Sequence, residues 1–77
     1  MELTSETIIQ GIKLRMNKAR TDKKMSAFKL APEIGVGWSM IYRWESLDNE
    51  VLPRVENLVK FCKSLDVSTD YVLLGKE

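Results

Sequence analysis

The chain has 77 residues, 44% of them hydrophobic, with 12 Lys and Arg against 11 Asp and Glu for a net charge of +1. That composition suits one folded domain over residues 1–77 with a single core, and it excludes a disordered chain. No apolar run approaches the roughly 18 residues of a membrane span, and the single cysteine excludes an internal disulfide. Histidine is absent, which argues against a zinc site and against histidine acid-base chemistry. The start, MELTSET, is acidic and polar, unlike the basic and apolar start of a signal peptide.

Residues 5–20 read as a first helix, with Thr4 or Ser5 as its cap and Ile8, Ile12, Met16 and Ala19 along one face. Leu14 falls off that face. Lys13, Arg15, Lys18, Arg20, Lys23, Lys24 and Lys29 crowd this part of the chain, with Asp22 as the one acid among them. A cationic surface would suit nucleic acid, although the net charge is low for a dedicated binder. The polar stretch from Thr21 to Lys24 predicts a loop.

Ser26 is placed to cap a second helix, along which Leu30, Ala31 and Ile34 share a side. Gly35 stands where that helix would stop, because glycine adopts the left-handed conformation of a helix terminus. Val36 fills the turn. Pro32 is the anomaly, since proline inside a helix removes a donor and crowds the carbonyl four residues earlier. It predicts either a kinked helix from Ser26 or a helix that begins only at Pro32.

The third helix divides by angle at about 100° per residue. Gly37, Ile41, Trp44 and Glu45 fall in one arc; Trp38, Ser39, Tyr42 and Arg43 fall in the opposite one. The second arc offers what a helix in a DNA major groove needs. Arg43 has the reach for two hydrogen bonds to guanine, or for a phosphate or Glu50. Trp38 would pack on a thymine methyl or sugar edge, or fold back over the protein. Tyr42 suits a phosphate or a methyl. Ser26, Lys29 and the amides near Gly37 lie at helix starts, where anions are favoured, and Lys24 and Arg54 stand near enough to add phosphate contacts.

After an acidic loop, Ser46 to Leu52, Pro53 predicts the start of a fourth helix running to Leu65. Its stripe is Val55, Leu58, Val59, Cys62 and Leu65. Cys62 on that stripe is a small core residue and not a nucleophile. Ser68 caps a short last helix, and Gly75 ends it.

The pattern resembles the phage repressor and Cro-type, or lambda repressor-like, helix-turn-helix family. The matching pieces are Ser26, Leu30-Ala31, Ile34-Gly35-Val36, Ile41-x-x-Trp44-Glu45, Pro53, Glu56-Asn57-Leu58, Ser64-Leu65-x-Val67-Ser68 and Asp70-Tyr71-x-Leu73-Leu74-Gly75. The resemblance implies an all-α, compact five-helix DNA-binding domain with the helix-turn-helix at helices two and three. It also implies a sequence-specific regulator of transcription, a repressor by preference, binding a near-palindromic double-stranded operator as a homodimer. Ser39 then stands where relatives touch base edges. Tyr71, Val72 and Leu74 lie in the helix relatives use near the dimer contact. Arg20 and Glu45 match a pair that meets in relatives, which implies a buried, forked ion pair. Ala27 replaces a common glutamine, and Gly37 a common serine cap. Two other readings remain open: a helix-turn-helix used for protein binding, favoured by the acidic loop and Trp38, and an antitoxin that represses its own operon.

No nucleophile-base set, paired catalytic carboxylates or glycine-rich phosphate loop appears, so an enzyme is not expected. Nor is a cofactor, a metal, a membrane or a small-molecule substrate. The expected location is the cytoplasm, in a bacterial or phage-encoded protein.

Overall fold

The first helix, α1 (Ser5–Asp22), starts at a capping box. The Thr4 hydroxyl accepts from the Thr7 amide at 3.1 Å, and the Thr7 hydroxyl accepts from the Thr4 amide at 3.2 Å. The computed structural model describes residues 3–76. Ile12, Met16 and Ala19 are buried along α1, but Ile8 is 45% exposed. The periodicity that assigns Ile8 to the core is real. In the structure Ile8 lines an open groove with Leu73 and Leu74 in place of the closed core. The helix also continues two residues into the expected loop. There Thr21 Oγ1 donates to the Asn17 carbonyl at 2.9 Å and Lys18 pairs with Asp22 at 2.8 Å, one turn apart.

Four further helices follow: α2 (Ala27–Ile34), α3 (Trp38–Glu45), α4 (Val55–Leu65) and α5 (Thr69–Leu74). No strand occurs among the described residues, and the fold is all-α. Helix α2 begins at its Ser26 cap, whose hydroxyl accepts from the Lys29 amide at 3.2 Å. The alternative start at Pro32 is thereby excluded. Pro32 sits inside the helix on its exposed side, where its ring meets water. Gly35 ends α2 in the left-handed region at φ 87°. The half-buried Val36 packs against the core from the turn.

Helix α4 departs from expectation at its start and on its face. Its cap is Arg54, so Pro53 precedes the helix and does not begin it. Val55 is 76% exposed and Val59 36%, while Phe61 is fully buried beside Leu58, Cys62 and Leu65. The buried line 58, 61, 62, 65 is a narrower stripe, rotated from the expected one. Val55, the first residue of the helix, stays outside the core cluster. Ser68 caps α5 by accepting from the Tyr71 amide at 3.0 Å, and Gly75 closes it at φ 73°.

Helix α2 packs on α3 and α4, and α1 on α3 and α5. Between them lies one cluster that includes Met16, Leu30, Ile41, Trp44, Phe61 and Val72. Val72 is fully buried in it, which corrects the expectation that its side chain meets a second copy. On a six-residue helix, the residue that anchors α5 to the core is unavailable to an interface. Burial of Cys62 raises its thiol pKa above the usual value, as suits an inert core residue.

Candidate nucleic-acid interface

The turn Gly35-Val36-Gly37 sets α3 across α2, with one face of α3 on the core. Ile41, Trp44 and Glu45 are buried on that face; Trp38, Ser39, Tyr42 and Arg43 are exposed on the other. Gly37 caps α3 with φ −73° and offers no side-chain cap, and it is exposed although its angle shares the inner arc. The Arg43 guanidinium pairs with no carboxylate among the described residues, so the expected alternative partner Glu50 is not used.

Trp38 lies against the protein's own surface while staying partly exposed. Its ring lies 4.8 Å from that of Phe28 and meets Tyr42 edge-on at 5.8 Å. Phe28, 62% exposed, was not singled out from the sequence. The signal for it in the sequence is its angle, off the side of the helix shared by Leu30, Ala31 and Ile34.

Arg20 and Glu45 form the forked pair. Arg20 Nε donates to Glu45 Oε2 at 2.7 Å and Nη2 donates to Oε1 at 2.8 Å. Asn17 Nδ2 adds a third donor to Oε1 at 2.8 Å, and Arg20 Nη1 donates to the Met25 carbonyl at 3.0 Å. Both side chains are nearly buried. The hydrogen bonds that Arg20 donates to Glu45 push the Arg20 pKa above its ordinary value. The guanidinium also stands 5.6 Å from the centre of the Tyr42 ring, so the pair that fixes α3 on α1 also supports an outward aromatic.

Lys13 is the residue whose role the sequence concealed. It belongs to the cationic run, yet it is fully buried. Its Nζ donates to the carbonyls of Arg43 (2.9 Å), Trp44 (3.2 Å) and Val51 (2.6 Å) and to Asn49 Oδ1 (2.9 Å). Arg43 and Trp44 carry two of the last carbonyls of α3, which lack intrahelical donors. Desolvation, and secondarily the Arg43 charge, lower the Lys13 pKa, while the four oxygens favour the charged form. Arg15 plays a similar part at α5, where its Nε donates to the Val72 carbonyl at 2.8 Å and its Nη2 to that of Leu73 at 3.1 Å. Much of the cationic run is therefore engaged within the molecule. Lys23, Lys24 and Lys29 remain exposed without an ion pair among the described residues.

Lys24 follows α1 with φ 56°, in the left-handed region, and leads to the exposed Ser26 and Lys29 at the start of α2. Arg54 is exposed at the start of α4, with a long contact of 3.6 Å to Glu56. Tyr71 is half-buried and Leu74 is exposed. No cluster of metal-binding side chains occurs among the described residues, and no helix there is long and apolar enough to cross a membrane.

The chain matches no curated protein. A family model described as helix-turn-helix matches residues 16–72, from the middle of α1 to the buried Val72 of α5. With its two central helices crossed at a glycine turn and the outer face of α3 open, the chain belongs to the Cro/C1-type helix-turn-helix family of DNA-binding transcriptional regulators.

Proposed function

We propose that this chain is an operator-specific repressor, acting as one DNA-binding domain that docks on near-palindromic duplex DNA as a symmetric homodimer. The observation that carries this reading is Arg43, with no ion pair among the described residues, beside Ser39 on the exposed face of α3. Two copies of α3 would enter successive major grooves about 34 Å apart. Arg43 would read guanine O6 and N7, and Ser39 a neighbouring base edge. Trp38 and Tyr42 would lie against base edges beside them. Lys24, Ser26, Lys29, the amides at Gly37, and Arg54 would hold phosphates, which set register without reading sequence.

The dimer contact proposed is the surface of α5 around Tyr71 and Leu74, extended by Leu73 and by Ile8 of α1. Leu73, Leu74 and Ile8 line one exposed groove with Leu3, and that apolar grouping supports an isologous contact. Repression would follow from blocking polymerase at the operator.

Selection of bound duplexes from a random pool tests the reading. It expects a two-fold related consensus, and the Arg43→Ala variant should lose preference at one position per half-site, by about 1–3 kcal/mol. Unchanged base preferences in Arg43→Ala would remove Arg43 as a base reader. A second reading, a domain that mainly binds protein, is favoured by Asp48 and Glu50 in the loop after α3. Duplex binding that weakens steeply with salt supports the first reading, because it reports released counterions. An antitoxin-type autorepressor would bind DNA in the same way and would differ by a dedicated protein partner.

A further inference from the structure

Three aromatic rings stand together on the outside of the helix-turn-helix. Phe28, in the first turn of α2, and Trp38, the first residue of α3, have ring centroids 4.8 Å apart at an interplanar angle of 35°. Tyr42, one turn along α3, meets Trp38 at 5.8 Å and 80°. The rings touch one another yet stay 62%, 46% and 45% exposed. The core is complete without them, so they are ordered apolar surface held out in water. Such surface marks a binding face.

The chemistry around the rings indicates what they bind. Lys29 follows Phe28, Arg43 follows Tyr42, and Ser39 follows Trp38. Between Lys23 and Trp44 the one acid is Glu33. The exposed stretch that carries the rings is thus apolar and cationic, which complements a polyanion that carries apolar groups between its phosphates. In the DNA major groove the apolar group is the C5 methyl of thymine. 5-Methylcytosine presents the same group. The ring spacings of 4.8 and 5.8 Å exceed the base-pair rise of about 3.4 Å, so one shelf of this size can meet more than one base step.

We propose that Phe28, Trp38 and Tyr42 form one shelf that reads 5-methylpyrimidines on neighbouring base steps beside the base read by Arg43. This rests on the operator-binding reading. It adds a reader on α2, Phe28, and a second kind of selectivity, for a methyl group in place of a hydrogen-bonding edge. Trp38 is the central element, because it is packed on by a ring from each helix.

Uracil substitution tests the proposal, since it removes the methyl and leaves base pairing intact. The tightest duplex from random selection is remade with each thymine replaced singly by deoxyuridine. Affinity is measured by fluorescence anisotropy at fixed salt for the wild type, Phe28→Ala and Trp38→Ala. A melting curve of each variant checks that it is folded. The wild type should lose about fourfold for each contacted methyl, at one or two positions per half-site. At those positions the folded variants should bind thymine and uracil duplexes equally. Wild-type binding that ignores every uracil would overturn the shelf and leave operator binding standing. So would discrimination that survives intact in both variants. A folded protein that binds no duplex at all would overturn both readings and assign the rings to a protein partner.

Discussion

The ammonium of Lys13 on α1 donates to the main-chain carbonyl of Arg43 on α3 at 2.9 Å. The residue with the outward guanidinium is thus held from inside by its backbone. The same ammonium reaches Asn49 Oδ1 at 2.9 Å, and that oxygen also accepts from the Val51 amide at 2.9 Å. One buried cation therefore joins three segments: α1, the end of α3 and the loop that follows.

Lys13→Met keeps the length of the stem and removes the donors. It would leave the carbonyls of Arg43, Trp44 and Val51 short of a partner. Unsatisfied buried acceptors cost about 1–3 kcal/mol each, with solvent entering the loop to offset part of it. The expected loss is about 2–4 kcal/mol, and the melting temperature should fall by about 10 °C or more. A thermal melt that overlays the wild type would show that the loop finds other donors.

Glu45→Gln removes the charge but preserves the shape. Arg20 would then be left with its charge nearly buried and only a neutral acceptor. Removing one partner of a buried pair costs roughly 3–5 kcal/mol, against about 0–1 kcal/mol for an exposed one. Denaturant unfolding should give a value in the first range, and any fall in DNA binding should track the unfolded fraction. A loss below about 1 kcal/mol would mean that solvent reaches the pair.

Gly37→Ser should stabilise the protein. The site has an ordinary φ of −73°, and a Cβ there would come no nearer than 4.0 Å to its closest neighbour, Ser39 Oγ. A serine hydroxyl would cap the start of α3, and the unfolded chain would lose freedom. Together these give about 0.5–1 kcal/mol, or a rise of about 2–8 °C in melting temperature. A lower melting temperature would show that the added side chain disturbs the turn.

Two of the three positions of α5 assigned to dimer contact by resemblance, Val72 and Leu74, should separate cleanly. Val72→Asp puts a charge at a fully buried site and should unfold the protein, visible as loss of helical circular dichroism. Leu74→Asp, at a 64% exposed site, should leave the melting curve within about 0.5 kcal/mol of the wild type. In sedimentation at high protein concentration, or on operator DNA, it should weaken pairing, because an isologous contact places each substitution twice. A Leu74→Asp protein that pairs as well as the wild type would move the interface elsewhere.

Helix positions, the caps at Ser26 and Ser68, the stops at Gly35 and Gly75, the inward Trp44 and the outward arc of α3 could all be read from the sequence. Each depends on spacing within a few residues, where the 3.6-residue period and the needs of helix ends act directly. The Arg20–Glu45 match came from resemblance; its fork and its extra donor from Asn17 are tertiary facts. Periodicity gives the angle of a face but not the width or length of what covers it. For that reason Ile8, Val55 and Val59 stayed exposed while Phe61 and Val72 went inside. The burial of Lys13 was decided furthest from local sequence. Its four oxygens come from residues 30 to 38 positions away, and they meet only when α1 packs beside the end of α3. A lysine in a cationic run otherwise carries every local mark of a solvated one, because what makes burial affordable is a set of acceptors the chain assembles only on folding.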